Sequence, residues 1–154
     1  MTQDVTDAVD RRDLRRLAGK NQDDGELAEA IAREAYDLEP VPGDDELDGD
    51  LRNPRTEARY EVKSTHARVG DEYPADGRFR LWRDQHRSIV GYDAQPDLAG
   101  WYVFVRFVDD TPRELRRVEP STVTRLVGGE WGPSGHAGRE AEQYKLPVGE
   151  VFDS

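Results

Sequence analysis

With 154 residues the chain can bury one hydrophobic core but not several. Acidic residues outnumber basic ones by 33 to 22, giving a net charge of -11 that argues against generic phosphate binding. The absence of cysteine excludes disulfides and thiolate metal sites, and the longest apolar run, Trp101 to Val105, is far too short to cross a membrane.

In chain order, residues 1–10 are polar and give no pattern for an element. "DAVDRRDLRRLAG" predicts a short helix closed by Gly19, with a basic cluster at Arg11, Arg12, Arg15 and Arg16. A second helix follows, with Asp23 or Asp24 as its cap and Leu27, Ala28, Ile31, Ala35 and Leu38 recurring on one face. "EPVPGDDELDGD" breaks it with Pro40, Pro42 and Gly43. "LDGDLR" and "TEARYEVKS" then flank the turn signal Asn53-Pro54-Arg55 and predict a hairpin. On its second arm Ala58, Tyr60 and Val62 share one face, and Glu57, Arg59, Glu61 and Lys63 the other.

"HARVGDEYPADG" has no period and reads as an excursion. "RFRLW" alternates as a short strand, "RDQHRSIVGYDA" reads as a short helix, and the β-branched and aromatic "WYVFVRFV" as a buried strand. "EPSTVTRLVGG" is a helical turn stopped by glycines, and the tail after it is glycine-rich. The expected architecture is α/β, a small mixed sheet flanked by helices. Its divisions are an N-terminal helical extension (1–21), a core (22–127) and a tail packed on that core (128–154).

Lysine is scarce: of the 22 basic residues only Lys20, Lys63 and Lys145 are lysine. An acidic, arginine-rich, cysteine-free chain fits a protein solvated for concentrated salt, as in a halophilic cytoplasm. There the Debye length falls to about 3 Å at 1 M, so local charge outweighs net charge. The first twenty residues lack the apolar stretch of a secretory signal.

The placement of Lys63 is informative because Glu61-Val62-Lys63 sets a carboxylate and an ammonium side by side on one strand face. Asp50, on the preceding arm, can supply a second carboxylate, and Asp48 shares its facing parity. Phosphodiester hydrolysis calls for such a set: hard oxygen ligands for a divalent cation, an activated water and a charge to stabilise the phosphoryl group.

"Asp50…Glu61-Val62-Lys63" resembles the core of the PD-(D/E)xK nucleases, which include restriction endonucleases and archaeal Holliday junction resolvases. Gly25 and Glu29 in "GELAE", Gln85 in "RDQHRSIV" and the element order of residues 22–108 agree with that likeness; Gly49 replaces the usual proline. The resemblance implies a restriction-endonuclease-like core and a Mg²⁺- or Mn²⁺-dependent DNA endonuclease, or a non-cutting relative that binds nucleic acid or protein. It implies metal ligation by Asp50, Glu61 and the carbonyl of Val62, with Lys63 orienting water and stabilising the transition state. Glu29 would order a water or help a second ion, Gln85 would support the site from its helix, and homodimerisation is common among such nucleases.

A basic island stands apart from the acidic background. "RFRLWRDQHR" holds Arg78, Arg80, Arg83 and Arg87 against a single Asp84, with Phe79, Trp82 and His86 interleaved. The four arginines and His86 are the expected phosphate contacts. His66, His86 and His136 lack any zinc-ligand spacing, and no phosphate-cradling P-loop, dinucleotide fingerprint or nucleophile elbow is present.

Overall fold

The computed structural model describes residues 2–4, 9, 11–20, 24–41, 50–69, 75–133 and 142–152. Two helices come early, α1 (Arg11–Lys20) and α2 (Asp24–Tyr36), after a short strand β1 (Thr2–Asp4). Next are β2 (Glu39–Pro40), β3 (Leu51–Arg52), β4 (Arg59–His66), β5 (Arg68–Val69), β6 (Ala75–Asp76) and β7 (Arg78–Trp82). The chain closes with α3 (Arg83–Asp93), β8 (Gly100–Val108), β9 (Thr111–Val118), α4 (Pro120–Val127), β10 (Gln143–Pro147) and the single turn α5 (Val148–Val151).

The main sheet has six strands in the order β1-β9-β8-β4-β3-β2. Its central pair, β4 and β8, is parallel from Arg59↔Gly100 to His66↔Phe107, and its other pairings are antiparallel. A parallel pair needs a crossover, supplied here by β7 and α3. The expected mixed α/β core flanked by helices is therefore the observed one.

Alternate residues of the central strands feed two cores. On one sheet face Tyr60, Val103, Val105 and Phe107 pack under Leu27, Ala28 and Ile31 of α2. On the other, Tyr102 and Phe104 meet Phe79 and Leu81 of β7, Ile89 of α3 and Val123 of α4. The hairpin between β3 and β4 turns as expected, because Asn53 Oδ1 accepts from the N–H groups of Arg55 and Thr56. Gly128 ends α4 with φ of 62°, the left-handed closure that glycine permits.

Several expectations change. Residues 2–4, read as patternless, form an edge strand paired with β9. Residues 111–118, given no element, form β9, which enters the sheet through a turn at Asp109 and Asp110 with φ of 51° and 63°. The glycine-rich tail supplies β10, which pairs antiparallel with β7, and its Val148, Val151 and Phe152 are buried in the second core. Gly77 is where the chain enters β7: a Cβ there would overlap the His66 carbonyl oxygen.

Candidate functional site

The site forms where β3, β4 and α3 converge. Asp50 precedes β3, and its N–H donates to the Tyr60 carbonyl at 2.8 Å, which extends the hairpin ladder by one rung. The same hairpin lets Asp50 Oδ2 accept the Val62 N–H at 3.2 Å, so the aspartate carboxylate is pinned beside Glu61. From β4, Glu61 and Lys63 point to one face, and Lys63 Nζ lies 3.3 Å from Glu61 Oε1. From the first turn of α3, Gln85 Oε1 accepts from Lys63 Nζ at 3.1 Å. Residues distant in sequence thus meet around one ammonium group.

Burial separates this arrangement from an ordinary charged strand. An alternating-charge face in water would leave Glu61 solvated, yet its side chain is only 1% exposed and that of Lys63 16%. The cause is topological: β4 is a central strand covered on both faces, so even its polar positions lie inside. Burial, and then the nearby Asp50 carboxylate, push the Glu61 carboxyl up to about 8 against the opposing pull of Lys63. Glu61 Oε2 is buried with no hydrogen-bond partner.

Two neighbouring carboxylates, one sealed and holding an orphaned oxygen, are stable in only two ways. Either a proton is held between them or a cation is. The all-oxygen donors, namely Asp50, Glu61 and the Val62 carbonyl, suit a hard divalent ion such as Mg²⁺ or Mn²⁺. Among the described residues no three His, Asp or Glu side chains converge as a ready-made metal cluster.

The other expected residues fall in different places. Glu29, on α2, lines a small cavity of about 150 Å³ with Leu51 and Pro40, beside β3 but not joined to Asp50 and Glu61 in one cluster. Asp48 and His136 lie outside the described residues. Arg78, Arg80 and Arg87 are exposed, whereas Arg83 Nη1 is tied to Glu142 at 2.6 Å. His86 corrects the sequence reading. It is 5% exposed and held at both ring nitrogens, 2.8 Å from the Tyr102 hydroxyl and 2.8 Å from Thr124 Oγ1, so it cannot reach a phosphate on the surface.

Lys145 was missed. It lies opposite Arg80 on β10, exposed on the same ribbon face as Arg78. The sequence signal was the rarity of lysine itself, already used for Lys63.

Against this geometry, the sequence model of the PD-(D/E)XK nuclease superfamily domain matches residues 15–153. The chain belongs to the PD-(D/E)XK nuclease superfamily. No curated protein matches it significantly. The family match runs through the tail as well as the hairpin, in keeping with the contribution of β10 and Phe152 to the second core. PD-(D/E)XK nucleases generally use divalent metals, which agrees with the oxygen donors of this superfamily member. No helix of the described residues is long and apolar enough to cross a membrane.

Proposed function

We propose that this chain is a Mg²⁺- or Mn²⁺-dependent endonuclease that hydrolyses phosphodiester bonds in DNA. The observation that supports it most is the buried Glu61, flanked by Asp50 and within 3.3 Å of Lys63, with one carboxylate oxygen left unpartnered. Such a group is costly to build into a central strand, and a structural role does not require it. When bound by Asp50, Glu61 and the Val62 carbonyl, a divalent cation supplies charge neutralisation at the phosphate and eases deprotonation of water.

The remaining work belongs to the protein. Gln85 occupies one of the three donors of the Lys63 ammonium and fixes its direction. Glu61 Oε1, 3.3 Å away, engages a second, and the remaining donor would align a water for in-line attack and meet the negative charge that builds on the phosphoryl oxygens. No nucleophilic side chain is needed, so no covalent intermediate forms. Glu29, near the start of β3, would extend the site from α2. Arg78, Arg80, Arg87 and Lys145 would hold the phosphate backbone.

In this reading the protein is similar to archaeal Holliday junction resolvases and comes from a halophilic archaeon or its virus. It would work in the cytoplasm, as a homodimer where two strands are cut. The deciding experiment is cleavage of a panel of branched and linear DNA in high KCl, with and without Mg²⁺ or Mn²⁺. Cutting that needs the metal and Lys63 supports the proposal; a folded, metal-binding protein that cuts no DNA makes the chain a non-cutting binding module.

A further inference from the structure

Behind the site a line of buried polar side chains runs from the sheet to α4, and the nuclease chemistry leaves it unused. Tyr102 is the register partner of Glu61 on the adjacent parallel strand. Its hydroxyl lies 2.8 Å from His86 Nδ1, His86 Nε2 lies 2.8 Å from Thr124 Oγ1, and Thr124 Oγ1 donates to the Pro120 carbonyl at 3.1 Å.

The far end sets the direction of the line. A carbonyl can only accept, so the single proton of Thr124 is spent on Pro120, and Thr124 must accept from His86 Nε2–H. A neutral imidazole with its proton on Nε2 has a lone pair on Nδ1, which accepts the hydrogen bond of the Tyr102 hydroxyl. Two further facts agree: burial lowers His86 to about 4, and burial with the nearby carboxylates raises Tyr102 well above its ordinary range. The ring is then neutral, and the phenol keeps its proton to donate.

His86 follows Gln85 on α3. The N-cap Trp82 makes no side-chain cap, so the first turn is held by Arg83 N–H on the Glu142 carbonyl at 2.8 Å, by Gln85 N–H on Asp84 Oδ1 at 2.9 Å, and by His86, which alone of the three ties the helix to both β8 and α4. Successive helical residues are about 100° apart around the axis, so clamping His86 between β8 and α4 also sets the bearing of Gln85.

We propose that His86 is a positioning residue: a one-way hydrogen-bond line, Tyr102 to His86 to Thr124, holds α3 at the rotation that brings Gln85 onto Lys63. The importance of that alignment for cutting rests on the nuclease reading, but the alignment itself can be read without any cutting.

The test uses the full chain labelled with ¹³C,¹⁵N-lysine and ¹⁵N-histidine. Three lysines give a sparse spectrum, and Lys63→Arg assigns the Lys63 signal. Thr124→Val is expected to move the Lys63 Cε–Hε signal in the same direction as Gln85→Ala, leaving Lys20 and Lys145 in place, and Thr124→Ser should restore it. His86 should show its proton on Nε2. A proton on Nδ1, a Lys63 signal that ignores Thr124→Val in a folded protein, or one that ignores Gln85→Ala, overturns the proposal. Under the nuclease reading, cleavage by Thr124→Val falls on the order of 10–100-fold, as with other small misplacements of catalytic groups. A protein that cuts no DNA refutes that reading while leaving the spectroscopic result to judge the positioning line.

Discussion

Lys63 and Gln85, which come from different layers of the fold, meet at 3.1 Å through Nζ and Oε1. The contact joins the central strand to the crossover helix, and it gives the ammonium a fixed direction beside a buried carboxylate.

Replacing Lys63 with alanine should cost cutting on the order of 10²–10³-fold or more, the scale seen when one preorganised charge at a reacting centre is lost. Folding should survive, because the Glu61 carboxyl, already pushed up to about 8, can remain protonated at neutral pH once its cation partner is gone. DNA cleavage and thermal melting of Lys63→Ala, run side by side, check both halves. Full activity in the variant would remove Lys63 from the mechanism.

A proton on Glu61 has a consequence for stability. The folded-state pKa of this acid is raised from 4.5 to about 8, so its stabilising effect is fully present below 4.5 and lost as pH rises toward 8. His86 acts in the opposite sense and lower down: with its pKa lowered from 6.5 to about 4, it costs stability as pH falls from 6.5 toward 4. The metal-free melting temperature should therefore decline between about pH 6.5 and 8. Glu61→Gln should flatten that decline, and Mn²⁺ should stabilise the wild type more at pH 8 than at pH 5. A slope unchanged by Glu61→Gln would show that another group titrates there.

Asp50 and Asp48 are separable by metal titration. Asp50 is held by the Val62 N–H beside Glu61, so calorimetry with Mn²⁺ should find affinity reduced at least tenfold in Asp50→Asn and unchanged in Asp48→Asn. Equal losses in the two would refute the choice of Asp50.

How far these features were legible depends on what each residue's pattern could carry. The hairpin, α2, α3 and β8 were legible because Asn53 makes a turn with its own side chain, and the apolar periods of α2 and β8 are clean. β9 was not, because "TPRELRRV" mixes charges into both faces: Arg106 pairs with Glu114, and Arg117 stacks over Trp101, so polar residues sit where apolar ones would announce a strand. β10 was hidden for another reason, since its partner β7 lies far upstream and no local signal encodes such a pairing. His86 was misjudged because the interleaved arginines suggested surface, whereas its position on α3 turns it inward to Tyr102. Glu61 and Lys63 were legible as one charged strand face but not as buried groups, because burial follows from the parallel pairing with β8.

The cationic ribbon should bind DNA by charge. Each phosphate contact removed should reduce the slope of log affinity against log salt by about 1, so Arg78→Ala, Arg80→Ala and Lys145→Ala combined should reduce it by roughly 3. Filter binding or anisotropy in the presence of Ca²⁺, over a range of KCl, measures this. An unchanged slope would move the DNA path elsewhere.

Gly77→Ala should be among the most damaging single changes, since its methyl group would overlap backbone rather than a flexible side chain. A large drop in melting temperature or insoluble expression is the expected outcome. A normally melting variant would mean that the entry to β7 can shift.

The pairing of β10 with β7 also bears on the order in which the molecule becomes competent during synthesis. Until residues 143–147 leave the ribosome, the strand beside α3 has a bare edge, and Phe79 and Leu81 lack the cover of Leu146 and Phe152. Arg83 at the head of α3 likewise has no Glu142 carbonyl to hold it. A nascent or prematurely stopped chain would then carry Asp50, Glu61, Lys63 and Gln85 without the frame that aligns them. A 1–141 truncation that binds metal but does not cut DNA would show that residues 142–152 supply the frame on which the proposed cutting depends.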